Sequence, residues 1–309
     1  MKGHLMMYKH LHFSLLLFVL CVSGFAQPLP DSLDKIKFIR KAIDYIRKEE
    51  KLKVSPDFYS RYQPGATMLT YLYVSSPDSI VSGMDSPFSF FGTNTQKALQ
   101  EQKHYDSLGQ HTLIYHTAGN SDAKINHRLL EYPKAAIAFI LFHEAIHQHL
   151  KNSGISIPYE YEEALCDVNG NYGALLFAKK TKALKSKEEA KFIAMNERIC
   201  RTIILINKGS RTVFRADRNK YQQHCDSALQ KLLLTATVFH RDRFNYPVNN
   251  AFLLRNSFYG ENYFLLKDVL DNNYDHQLKA FLDFAFTFPS RKDKVLNVLI
   301  LKCVERIPP

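Results

Sequence analysis

One stretch limits the choice of folds more than any other: residues 133–149, Pro-Lys-Ala-Ala-Ile-Ala-Phe-Ile-Leu-Phe-His-Glu-Ala-Ile-His-Gln-His. Pro133 stands where a helix accepts its first residue, and Ala135 to Leu141 is apolar nearly all round. A helix without a polar face has no surface to lie on, so it belongs in the middle of a core. Two histidines then emerge four residues apart, His143 and His147, one turn above each other on the same face.

Two imidazoles at that spacing can hold one Zn2+, with Glu144, just round the helix, placed to act on water beside it. A catalytic zinc needs a third protein donor and an open position. Fifteen residues beyond His147 the next predicted helix carries Glu162-Glu163-Ala164-Leu165-Cys166-Asp167. Glu163 can supply a carboxylate oxygen. Asp167, one turn further on the same face, can accept a hydrogen bond from the outer nitrogen of a zinc-bound histidine and fix its tautomer. The competing reading of these residues is a polar helix turn with satisfied core histidines, Glu162 and Glu163 as a solvated helix start, and Asp167 as a surface acid.

The pair of segments, His143-x-x-x-His147 with Glu144 and then Glu163-x-x-x-Asp167, resembles the gluzincin metallopeptidases, the thermolysin-like group. The resemblance implies His143, His147 and Glu163 as ligands of one Zn2+, Glu144 as general base, and Asp167 as the outer partner of a ligand histidine. A longer likeness is to a bacterial family of exported or envelope proteins classed as aminopeptidases, carried by Leu141 to Gln148, the Glu163 segment, and Asn249-Asn250-Ala251 followed by Tyr259. The chain departs from that family in having Glu162 where Asn is usual. The activity implied is peptide hydrolysis by a metal-activated water, with a peptide or protein as substrate. Tyr259 is the first candidate to stabilise the oxyanion, with Tyr172 and His224 behind it.

The first 26 residues read as a leader. Lys2 and Lys9 make a basic start, Phe13 to Val22 is apolar but too short for a membrane span, and Gly24-Phe25-Ala26 offers small residues for cleavage. The expected location is therefore the periplasm or the exterior, with no transmembrane segment after the leader is removed. The net charge of +11 is dispersed, with no basic face interleaved with exposed aromatics, which argues against a nucleic-acid partner. Cys166, Cys200, Cys225 and Cys303 show no C-x-x-C spacing, so a cysteine-type zinc site is not expected. An exported chain permits a disulfide among them, with buried free thiols as the alternative.

The pattern predicts an amphipathic helix from Asp31 to about Leu52, strands over Met68–Ser75, Phe88–Phe91 and Thr112–His116, and a helix over Thr95–Leu108 stopped by Gly109. Beyond Tyr161 it is helical almost to the end, in segments near 161–183, 187–207, 211–238, 249–270, 274–287 and 292–305. The expected fold is α+β, mostly α, and zincin-like: a single domain over 27–309, with a small α/β lobe ending in the motif helix (27–153) and a helical lobe (154–309). Two other function classes fit the same pattern. One is a non-catalytic envelope protein that keeps zinc for folding or peptide binding, and the other is a helical scaffold without metal.

Overall fold

A computed structural model of the chain describes residues 30–63, 68–81, 84, 88–119, 124–213 and 215–304. The expected leader lies outside the described residues. The fold is mostly helical with one small antiparallel sheet, as expected. Among the described residues no helix is long and apolar enough to cross a membrane.

Helix α1 (Pro30–Tyr45) buries Ile36, Ile39, Ala42 and Ile43, the apolar positions of its 3.6-residue period. It runs into a π turn, Ile46–Glu50, closed by Lys51 at φ 57°. This turn folds Glu50 inward. Its Oε2 accepts from Asn169 Nδ2 at 3.4 Å, while Oε1 is buried without a hydrogen-bond partner among the described residues. Burial pushes the Glu50 carboxyl up to about 8, which leaves it neutral.

Strands β1 (Leu69–Ser75), β2 (Ser89–Phe90) and β3 (His111–Thr117) pair antiparallel in the order β2-β1-β3, with Tyr71 opposite Tyr115 and Leu69 opposite Thr117. Helix α2 (Thr95–Ser107) connects β2 to β3. Asn94 caps it by accepting from Lys97 N at 3.0 Å, and Gly109 follows it at φ 73°. A short helix α3 (His127–Glu131) was not read from the sequence; Asn126 caps it through Leu129 N at 2.7 Å.

The motif helix α4 (Lys134–Ser153) starts after Pro133 and ends at Gly154, whose φ of 65° closes the last turn. Every residue from Ala135 to His143 is buried. Helix α5 (Tyr159–Thr181) returns along α4 after a short link. The two approach closely at Gly170, where an added Cβ would lie 2.8 Å from the Phe139 ring and 3.1 Å from the Phe139 carbonyl. Only glycine allows that separation, and the separation sets how near the acids of α5 come to the histidines of α4.

Helices α6 (Ser186–Thr212), α7 (Arg215–Leu233), α8 (Val238–Phe244), α9 (Asn250–Asn273), α10 (Leu278–Ala285) and α11 (Lys292–Val304) follow among the described residues. The predicted segment 211–238 is in fact α7 followed by a break, and the seven-residue α8 occupies a stretch read as a gap. Asn249 caps α9, accepting from Phe252 N at 2.9 Å. Two cores form. One surrounds α4 and α5 and takes in α1, α10 and α11; the other lies between the sheet, α6 and α7. Helix α9 belongs to both, through Ala251 to Leu254 at one end and Tyr263, Leu266, Val269 and Leu270 at the other. Each such apolar side chain contributes about 1.5–3 kcal/mol on burial. The turn at 153/154 therefore separates two helices without dividing the cores.

Candidate metal centre

Helix α4 presents His143 and His147 with ring centroids 5.2 Å apart. Opposite them, α5 turns in Glu162, Glu163, Cys166 and Asp167, two adjacent rows of one helical face. Nδ1 of His143 lies 2.9 Å from Oδ1 of Asp167, and Nδ1 of His147 lies 2.6 Å from Oε1 of Glu162. A carboxylate at each Nδ1 favours the proton there and leaves each Nε2 with a free lone pair.

Both Nε2 atoms face Glu163. His143 Nε2 is 3.6 Å from Oε2 and His147 Nε2 is 3.6 Å from Oε1. Glu163 is buried, and its Oε2 has no hydrogen-bond partner among the described residues. A separation of 3.6 Å is too long for a hydrogen bond. It is close to the spacing of donors round a tetrahedral ion, where ligands about 2.1 Å from the centre stand roughly 3.4 Å from one another. The donor set and the orphaned oxygen thus fit a divalent metal.

The structure adds a sulfur to this cluster. Donor atoms of His143, His147 and Cys166 all lie within 4.8 Å of one another, a trio that could hold a metal ion. Cys166 is fully buried, and burial raises its thiol far above the ordinary range. No sequence motif marks it, because a single cysteine between two acids has no ligand spacing of its own. Cys166, Cys200 and Cys225 are all free thiols.

Arg243, on α8, holds Asp167 from behind. One guanidinium nitrogen, Nη2, donates to Oδ1 at 3.1 Å and to Oδ2 at 2.9 Å. Both side chains are buried. Burial alone would push the Asp167 carboxyl up. Arg243, and then His143, outweigh it and hold the group below the usual carboxylate range. For His147, burial acts downward and is outweighed by Cys166, Glu163 and Glu162, so the imidazole stands well above its ordinary value.

Glu144 is half-buried beside the segment after β3, where a Cβ on Gly119 would come within 3.6 Å of its Oε1. Burial, reinforced by Glu163 and opposed by His143 and His147, raises its carboxyl. His143 and Glu144 form one wall of a cavity of ≈ 60 Å³, whose other walls include Tyr115, Tyr132, Phe239 and Arg243.

Tyr259, near the middle of α9, stacks on His143 at 6.3 Å between centroids. The guanidinium groups of Arg243 (4.9 Å) and Arg255 (5.2 Å) both pack over its ring. Burial, with Glu163 and Tyr73 adding, pushes its hydroxyl well above the ordinary value, so it remains a donor. Burial, and then the nearby Glu163, push the hydroxyl of Tyr159, at the start of α5, well above its ordinary value. The other two oxyanion candidates are not brought here. Tyr172 faces Lys267, 5.4 Å from its ring, and His224 is exposed on α7. His149 points away from the cluster, accepting from Lys53 N at 2.9 Å.

The structure thus gathers His143, Glu144, His147, Glu163, Asp167 and Tyr259 in one place, and adds Glu162, Tyr159, Cys166 and Arg243. Comparison with protein-family models, with curated proteins and with solved structures finds no match for this chain.

Proposed function

We propose that the chain is an exported zinc peptidase of gluzincin type, with Zn2+ held by His143, His147 and Glu163. The observation that carries this reading is the orientation of the two imidazoles. Both Nδ1 atoms are occupied by carboxylates, and both Nε2 atoms converge on Glu163 at 3.6 Å.

Zinc bound there supplies Lewis-acid polarisation of a peptide carbonyl and a lowered pKa for water. The chain's own groups do the rest. Glu144 takes the proton of the attacking water on its carboxylate and delivers it to the leaving amine. Its raised carboxyl suits both halves of that transfer. The Tyr259 hydroxyl donates to the developing oxyanion, with Arg243 and Arg255 adding positive charge beside its ring. Asp167 and Glu162 fix the tautomers of His143 and His147. Strand β3 lies at the edge of the sheet among the described residues and leads into the segment holding Gly119 beside Glu144, which suits an extended peptide main chain.

The test is a peptide-library digest read by mass spectrometry, with metal content measured on the same sample. The wild type is expected to carry one equivalent of zinc and to cleave in a chelator-sensitive way. Glu144→Gln is expected to keep the zinc and lose about 10²–10⁴-fold in rate. Zinc below a tenth of an equivalent would remove the ligand assignment. Full zinc with no cleavage of any peptide, or equal cleavage by Glu144→Gln, would leave the non-catalytic zinc protein as the reading.

A further inference from the structure

A cavity larger than the metal cleft lies elsewhere in the structure. A groove of ≈ 830 Å³ lies on the other side of α8, walled by α1, the start of α4, α6 and the link between α7 and α8. Its apolar surface comes from Pro133, Ala135, Leu184, Phe192, Met195 and Ala236. The stretch of α6 along it, Glu188 to Arg198, is about 15 Å long at 1.5 Å per residue.

The floor of this groove carries a polar group with no partner. His240 is fully buried and lines the groove, and its Nε2 has no hydrogen-bond partner among the described residues. Its Nδ1 is paired with Thr237 Oγ1 at 2.9 Å. Burial, with Arg243 nearby, pushes His240 down to about 3, so the ring is neutral. The Thr237 hydroxyl can donate or accept, so Nε2 can present either an N–H or a lone pair. A buried polar atom of this kind ordinarily has a partner.

The rim carries uncompensated positive charge. Lys35 pairs with Asp31 and Lys134 with Asp34, while Glu188 is met by Lys185. Lys191 and Arg198 have no carboxylate partner among the described residues. Phe192 stacks on the His240 ring at 4.7 Å, which puts Lys191 one residue away along α6 from that contact.

We infer that this groove binds an apolar chain ending in a single carboxylate, a long-chain fatty acid. The carboxylate meets His240 Nε2 and the positive charge of Lys191 and Arg198, and the chain lies along the apolar wall. A cavity of this size falls within the range of small-molecule sites, which are mostly apolar with a few convergent polar groups. The site is independent of the metal centre, since none of its residues belongs to that cluster.

The test is fluorescence titration of the purified protein with cis-parinarate, followed by displacement with palmitate, hexadecanol and short apolar peptides. Saturable one-site binding displaced by palmitate, and much less by hexadecanol, is expected. Ala194→Trp, a substitution at an exposed position on the groove wall, is expected to weaken binding about tenfold or more, as is Lys191→Glu combined with Arg198→Glu. His240→Phe, which keeps an aromatic ring but removes Nε2 together with the Nδ1 that pairs with Thr237, should do the same. Absence of saturable binding, equal displacement by hexadecanol or by peptides, or unchanged affinity in Ala194→Trp would each overturn the proposal. The two surface variants keep the test decisive if His240→Phe fails to fold.

Discussion

Arg243 spans both carboxylate oxygens of Asp167 with a single nitrogen, at 3.1 and 2.9 Å, and Asp167 in turn holds Nδ1 of His143 at 2.9 Å. The three side chains make one buried chain of hydrogen bonds ending at a metal-ligand candidate. Its other guanidinium nitrogen, Nη1, has no partner among the described residues, which leaves a donor at the wall of the cleft.

Arg243→Met leaves Asp167 as a buried, half-compensated charge. Loss of about 3–5 kcal/mol of stability is expected, read by urea unfolding at neutral pH. Because the folded-state carboxyl of Asp167 is depressed, its contribution is present above the ordinary carboxylate pKa and is lost as pH falls through the depressed value. With that depression relieved, the variant's stability should fall less steeply on acidification than the wild type's. Metal affinity, measured by competition with a chromophoric chelator, should fall by roughly 10–100-fold, as it should for Asp167→Ala.

Tyr259→Phe removes the hydroxyl and keeps the ring that stacks on His143. A loss of about 10²-fold in kcat is expected with zinc content unchanged. A steady-state assay with the same metal stoichiometry in both proteins checks it, and an unchanged kcat would return the residue to a packing role.

Gly170→Ala places a methyl group 2.8 Å from the Phe139 ring, with the Phe139 carbonyl 3.1 Å away. The ring can turn, but the carbonyl belongs to the backbone of α4. The helices must part, at a cost of about 1–3 kcal/mol. Since Glu163 and Asp167 ride on α5, metal affinity should fall along with the melting temperature.

Glu50 gives a pH dependence of the opposite sign to Asp167. Burial raises it to about 8, so the stability tied to its neutral form is complete below the ordinary glutamate pKa and is lost as pH rises through about 8. Glu50→Gln keeps the amide-like shape without the charge. Its melting temperature should exceed that of the wild type by a few degrees near pH 8.5, and the gap should close towards pH 5.

The two helices of the site were legible because their signals are local. An apolar run with histidines one turn apart identifies α4, and Glu-x-x-x-Asp on the next helix identifies the face of α5. Arg243 was not legible. It sits on a seven-residue helix whose sequence, Val-Phe-His-Arg-Asp-Arg-Phe, has no room for a period, and the acid that buries it is 76 positions away. Tyr159 falls before the predicted helix, which starts at Tyr161, and only the first turn of α5 brings its hydroxyl near Glu163. The sheet was read nearly to its ends, since β-branched and aromatic residues mark β1 and β3. Its order is set by contacts that no short window contains.

Helix α9 has one end in each hydrophobic core, with Tyr259 between them. Neither core can open without exposing one end of the same rod, so the two are expected to melt as one unit. Backbone amides around Tyr259 should then exchange with deuterium only through whole-molecule unfolding, with the slowest rates in the chain. A proteolytic cut at the exposed link between α4 and α5 would not release two folded halves. The oxyanion candidate is thus placed at the point of the structure least free to drift, where a donor can be aimed once and stay aimed.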